Sequence, residues 1–376
     1  ATGLSTLTLS GGGTITATDF APGKGVELNV PLAGGDTISV RGGGHVNFSA
    51  INTMNGHMYV GTSDDGNTAT FSVTGFTVPS PGRDLLIGRD RKFNTMIVTN
   101  GCVARWRAGA EVGRNFGSDS NKLIVTGIGS QVIIDNNGGS QFNLGVSGAK
   151  GNSVEVRDGG YLRPQKFVIG RLGGMNNVAL ITGAGSLVRA GAGNQGCVNV
   201  GTDTGGTSGN SVTIENGGHL LYESPEYKSG GSIGDSNGAD NNYIRVKAGG
   251  TFSFLHSTSN SLPFVLGAYN GRDGNNYQSF PIDSTANGNH LDIFGNGLFK
   301  TANASVYLMG ANSAINLGDG DGMSKAEVGA TAANYNGVTY SPGIVLFKQD
   351  SRLRMNSGRL QAAAGGPMVS GPRLVE

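Results

Sequence analysis

The residues best suited to chemistry in this chain are arginines. Arg89, Arg114 and Arg171 each follow a glycine that closes a short apolar pair, and Arg89 and Arg114 fall on successive copies of that unit. If the copies stack, their guanidinium groups form a stripe suited to carboxylate or sulfate, because the planar fork donates two parallel hydrogen bonds. Asp84, Asp90 and Glu111 lie near enough in sequence to neutralise it, which makes a solvated, ion-paired edge the plainer reading. A second candidate is Arg105-Trp106-Arg107, where the single Trp of the chain sits between two cations. An exposed aromatic there would anchor a sugar or a partner chain. Strand alternation instead groups Trp106 with Ala104, opposite Val103, Arg105 and Arg107, and so turns it inward.

Other chemistry is weaker. Asp319, Asp321 and, further on, Glu327 supply closely spaced hard oxygen donors that suit calcium, but the full helix-loop-helix spacing is absent and a simple turn is the better expectation. No other cofactor is implied. The histidines His45, His57, His219, His256 and His290 show no ligand-like spacing. Cys102 and Cys197 would lie about three coils apart, roughly 15 Å at ~4.8 Å per stacked strand. A disulfide needs Cα atoms within about 7 Å, so both read as small hydrophobes. A polysaccharide lyase would need a general base beside its cationic neutraliser, and a hydrolase a pair of carboxylates. The arginine stripe supplies the first requirement and nothing visible supplies the rest, so catalysis is not expected.

The elements that would position these groups repeat. Pairs ending in Gly recur as Leu86-Ile87-Gly88, Glu111-Val112-Gly113, Asn143-Leu144-Gly145, Val168-Ile169-Gly170, Asn199-Val200-Gly201, Ser232-Ile233-Gly234 and Val265-Leu266-Gly267, at steps of 25 to 33 residues. Between them runs a second unit: Asn, an alternating strand, then a glycine corner. Asn152-Ser153-Val154-Glu155-Val156-Arg157-Asp158-Gly159-Gly160 and Asn210-Ser211-Val212-Thr213-Ile214-Glu215-Asn216-Gly217-Gly218 are the clearest copies. Alternation of apolar and polar residues marks strands buried on one face. Glycine pairs permit the positive φ needed to turn corners. The asparagines could stack as a ladder along the axis. No segment carries a capped 3.6-residue period, and steps this short exclude a four-stranded propeller blade. The expected fold is all-β: a right-handed parallel β-helix, or β-solenoid, with irregular coils of about 25–33 residues.

Composition agrees. Glycine accounts for 67 of 376 residues without a collagen period, and 37% of residues are hydrophobic, which argues against disorder. Charged residues are only 14% and the net charge is +1, so there is no electrostatic footprint for nucleic acid. No apolar run is long enough for a transmembrane helix. The start at Ala1-Thr2-Gly3 fits a processed, exported chain.

The alternation of the glycine-ended pair, polar loop, Asn-strand and Gly-Gly corner resembles bacterial autotransporter passenger domains and related surface β-helix repeat proteins, over roughly residues 55–300. That resemblance implies export, display at the bacterial cell surface, and an adhesive, fibre-like or stalk-like role; no membrane barrel of the autotransporter kind is visible. The expected organisation is an N-terminal cap at 1–58, a central solenoid at 59–300, divergent coils at 301–360 with a loop excursion at 318–343, and a tail or linker at 361–376. The function expected is that of a non-catalytic extracellular fibre, sheath or stalk subunit, or an adhesin shaft, which self-associates end to end. A phage-fibre shaft shares the same physics. The alternative is a glycan-binding or lyase-like β-helix acting on acidic polysaccharide.

Overall fold

The structure is a computed structural model. It describes residues 58–61, 65–66, 68–71, 84–134, 141–191, 196–203, 206–224, 230–256, 263–267, 286–320, 322–329, 343–347 and 350–362, apart from the side chain of Arg107. It gives the backbone alone for further strands before residue 58, at 82–83, at 333–335 and 338–340, and at 369–370.

Every element among the described residues is a strand. The strands stack in parallel into three columns. The Asn-strand units form one 12-stranded sheet, running from Val26–Pro31 to Arg352–Met355. The strands after the glycine corner form a second column, and the glycine-ended pairs a third. These two are joined into one 21-stranded sheet because the long strand Val103–Arg114 belongs to both, pairing with Gln131–Ile134 through its first half and Gln141–Val146 through its second. The chain is thus the right-handed parallel β-helix that the repeat implied, one coil per Asn unit.

The core is the inner lining of the columns. In the Asn column, Leu123, Val154, Ala179, Val212, Ile244, Leu291 and Ile315 lie over one another, as do Val125, Val156, Ile181, Ile214, Val246, Ile293 and Leu317, all at most 1% exposed. Period-2 alternation puts every second side chain inward, and parallel register keeps each over its equivalent in the next coil. Where the coils widen, aromatic rings fill the interior. Tyr222 stacks on Phe254 at 4.4 Å between centroids, and Phe252 lies 5.3 Å from Phe299.

The asparagines form a buried ladder. Each side-chain amide of Asn94, Asn121, Asn152, Asn177, Asn210 and Asn242 donates through Nδ2 to Oδ1 of the next, at 2.9–3.2 Å, ending at Asn289. The same Oδ1 accepts the backbone N–H of the preceding Asn at 2.9–3.0 Å. The second amide hydrogen goes to a loop carbonyl, Thr207 for Asn242 and Ala239 for Asn289, both at 2.8 Å. All seven asparagines are 0% exposed. In the next two coils Ser313 and Ser351 stand in the Asn position, and Ser351 Oγ donates instead to Gly310 O at 3.0 Å.

The glycine that ends each apolar pair makes room for the ladder. Gly145 has φ of +72°, and a Cβ there would lie 2.1 Å from Nδ2 of Asn177. The two sequence motifs are therefore one steric device: the glycine of one coil seats the asparagine of the next.

Coil length differs from expectation at one place. Asn242 and Asn289 are successive rungs 47 residues apart, beyond the 25–33 expected. The extra chain lies largely in residues 268–285, outside the described residues. The excursion expected at 318–343 is interrupted: Lys325–Val328 is a column strand paired with Leu298–Ala302, and among the described strands the antiparallel hairpin of Ala333–Tyr335 with Val338–Tyr340 departs from the parallel stack. The presumed tail also carries stacked strand: Arg359–Ala362 pairs with Lys325–Val328, and Val369–Ser370 with Ile344–Leu346. Its Ala-Gly-Pro composition hid this, because a parallel partner stabilises even a short strand of weak propensity.

The ladder yields a test of coupling. Asn177→Ala strips acceptors and donors from Asn152 and Asn210, at about 1–3 kcal/mol for each buried group left unpaired, and should destabilise by roughly 3–5 kcal/mol in guanidinium melts. Gly145→Ala should cost a comparable amount in the native background. It should cost clearly less in Asn177→Ala, because the clash is then gone and only the positive-φ strain remains. Strict additivity in this double-mutant cycle would refute the seating argument.

Candidate ligand-binding surface

The arginine stripe is broken. Arg114, Val146, Arg171 and Thr202 are successive neighbours in register, and Val146 is buried. Arg114 Nε lies 3.2 Å from Glu111 Oε2, and Arg171 Nε lies 2.5 Å from Asp203 Oδ2 with a further bond to Gln141. Arg89 is exposed, beside Asp90, which accepts a hydrogen bond from Asn115. The stripe is thus mostly an ion-paired edge.

Trp106 is 1% exposed and lines the interior with Ala104, so it presents no face to a ligand. Arg105 points the other way. It occupies an outward row in which its stacked neighbour is Ile133, followed by Arg163. Arg107 lies on the same strand, with its side chain outside the described residues. Sequence spacing tied Arg105 to Trp106, whereas the stacking ties it to Arg163.

The calcium candidates are committed elsewhere. Asp319 Oδ2 accepts the backbone N–H of Gly295 at 3.1 Å, and Glu327 pairs with Lys325. Asp321 lies outside the described residues. Among the described residues no three His, Cys, Asp or Glu side chains gather as a metal site. Neither cysteine is in a disulfide; Cys102 is buried, while Cys197 is half-buried in line with Lys166 rather than in the core.

Sequence reading missed a charged cluster on the outer face of the Asn column. Tyr243 stacks on His290 at 5.1 Å, and Arg245 lies 4.8 Å over the Tyr243 ring. Arg245 donates through Nε and Nη2 to Asp292 Oδ2, at 3.1 and 2.9 Å. Asn316 donates to Asp292 Oδ1 at 2.8 Å, and His290 Nε2 lies 3.4 Å from the same carboxylate. Asp292 is only 2% exposed, an unusual burial for a carboxylate, made tolerable by these partners. Burial works against the charged form of both groups. For His290 the Asp292 hydrogen bond and charge, with the Gly288 carbonyl, more than offset it and raise the imidazole above its ordinary range. For Asp292 the bonds from His290, Asn316 and Arg245 hold the carboxyl below the ordinary carboxylate range. The signal lay in aligning Asn242-Tyr243-Ile244-Arg245 with Asn289-His290-Leu291-Asp292, which sets Tyr over His and Arg over Asp.

His219 behaves oppositely. Its Nε2 lies 2.9 Å from Ser253 Oγ, and burial, then the charge of Lys300, lower its pKa. His256 is buried against the rings of Tyr222 and Phe254. The side chains of His45 and His57 lie outside the described residues.

Comparison with known proteins adds little. No family model matches the sequence, and no curated protein matches it. Among solved structures the chain is similar to the crystal structure of a TibC-catalyzed hyper-glycosylated TibA fragment, with 14% identity and a TM-score of 0.34, covering 96% of this chain and 98% of that one. So distant a likeness carries no argument about function; the fold rests on the strand pairing itself.

The His290–Asp292 pair makes stability depend on pH. His290's contribution is fully present below about pH 6.5 and is lost as pH rises through its raised value. Asp292's is present above about pH 4 and is lost as pH falls through its lowered value. His290→Gln should therefore lower the melting temperature more at pH 5.5 than at pH 9. Equal losses at the two pH values would mean that the pair carries no charge-dependent stability.

Proposed function

We propose that this chain is a non-catalytic extracellular shaft: a rod-like segment of a bacterial surface fibre or adhesin. The observation that supports this most is the continuity of the interior. The amide ladder runs unbroken from Asn94 to Asn289, the apolar lining continues past it through Ile315 and Leu353, and the ladder amides bond to one another and to loop carbonyls of the same chain. Twelve strands in the Asn column, at ~4.8 Å each, make a stack about 50 Å tall. Such a stack resists local opening, because each coil is sealed by both neighbours.

Self-association end to end is part of the proposal. Among the described residues, Arg352–Met355 and Arg359–Ala362 each pair on one side only. An unpaired strand edge is a template for another strand, and a parallel stack accepts one in register. A contact of this head-to-tail kind does not close and yields filaments.

Negative-stain electron microscopy at rising protein concentration tests the reading. Rods that lengthen in steps of the single-chain length are expected, with sedimentation coefficients rising in parallel. Compact dispersed particles at every concentration would remove the filament proposal. Incubation with polygalacturonate should give no rise in unsaturated-uronate absorbance; a protein-dependent rise would overturn the non-catalytic reading.

A further inference from the structure

The outward face of the column that follows the glycine corner is lopsided in charge. Its described strands present six cations, Arg105, Arg163, Arg189, Lys300, Lys325 and Arg359, against two carboxylates, Glu223 and Glu327. Both carboxylates are already used: Glu223 by Arg189 at 2.7 Å, and Glu327 by Lys325. No carboxylate among the described residues pairs with Arg105, Arg163 or Lys300. The net charge of the whole chain is only +1, so this face holds a local excess of cations.

The unpaired cations share one row. Arg105, Ile133, Arg163, Arg189, Leu221, Ser253 and Lys300 occupy equivalent positions in successive coils, and Glu327, already paired with Lys325, follows Lys300 in the same row. At ~4.8 Å per coil, Arg105 and Arg189 stand roughly 14 Å apart, and Lys300 about 29 Å from Arg105. Beside the row lies a mixed one, in which the half-buried side chains of Tyr161 and Leu187 are followed by His219 and Thr251 and then by Leu298. One guanidinium is visibly incomplete: Nε of Arg105 is buried and has no hydrogen-bond partner. The His219 pKa is lowered by burial first and by the charge of Lys300 second.

We propose that this face binds a linear acidic polysaccharide, laid along the helix axis with its carboxylates or sulfates on Arg105, Arg163 and Lys300. The chemistry selects this class. The cations recur at multiples of one axial step, which matches a polymer with periodic anions. The flanking Tyr161, Leu187 and Leu298 suit the apolar faces of pyranose rings. Nucleic acid would call for a series of stacking aromatics, and among the described residues this face offers Tyr161 and the half-buried His219. The site goes beyond the shaft proposed above and is independent of it: rods in the microscope without glycan binding would retain the shaft and remove the site.

The test measures binding of the full chain to immobilised heparin and to polygalacturonate, with dextran as the neutral control. The triple variant Arg105→Ser/Arg163→Ser/Lys300→Ser should weaken binding at least tenfold. The edge variant Arg89→Ser/Arg114→Ser should leave it within twofold. Preference between the two probes separates sulfate from carboxylate recognition. Unchanged binding in the triple variant, equal loss in the edge variant, or no binding by the native chain overturns the proposal. So does equally tight binding of single-stranded DNA or of phosphatidylserine vesicles that is lost in the same variant. If the triple variant melts early, Arg163→Ser alone carries the test, with an expected threefold or larger loss.

Discussion

A buried carboxamide has two donors and an acceptor that must all be satisfied, and in this chain the equivalent residues of the two neighbouring coils satisfy all but the second amide hydrogen, which a loop carbonyl takes. That single requirement organises the molecule. An Asn in the interior corner would be costly alone, since an unpaired buried amide loses its hydration without return. Stacked at one strand spacing it becomes complete, and the bonds polarise one another along the row. The ladder specifies register more than it adds energy. A coil shifted by one residue would turn its apolar lining outward and leave two rungs unmatched.

The ladder also explains how irregular repeats make a regular rod. Successive rungs are separated by 25 to 47 residues in sequence, yet their hydrogen bonds vary only between 2.9 and 3.2 Å. All variation is expelled into the corners and loops, where extra chain costs only a slowly growing closure entropy. The strand positions are held by their neighbours above and below, and the glycine before each loop keeps the backbone clear of the next amide. Where Ser313 and Ser351 replace Asn the column continues on apolar packing, with Ile315 and Leu353 still buried. The ladder is a register device laid over a core that can stand without it for a few coils.

Outside the core, the same stacking decides the electrostatics. Residues 25 to 50 positions apart meet as ladder neighbours, so ion pairs form between coils, as in Lys122 with Glu155 and Arg189 with Glu223. Exposed pairs of this kind contribute little individually. The Asp292 cluster differs because its carboxylate is buried and fully bonded, so removing one partner strands a charge. The second column differs again, because among the described residues its cations outnumber its acids and Arg105, Arg163 and Lys300 pair with no carboxylate.

How far the sequence reached can be read from particular residues. Val154, Val156, Val212 and Ile214 were recognisable as inward because alternation is local, and the Asn and Gly-Gly copies announced themselves by repetition. Trp106 was recognisable as buried for the same reason. The arginine stripe was half visible: Arg89, Arg114 and Arg171 do share a position after the glycine, but Val146, Glu111 and Asp203 dissolve it as a free cationic surface. Both strands were recognisable as copies of the Asn unit, but the contact of Tyr243 with His290 was not read, because a step of 47 residues hides that the two are successive coils. The sequence by itself determined the strands, their inner faces and the corner chemistry, since each depends on residues a few positions apart. Only the tertiary structure decided which outward side chains become neighbours, because that depends on how much chain each corner absorbs, and no local pattern records it.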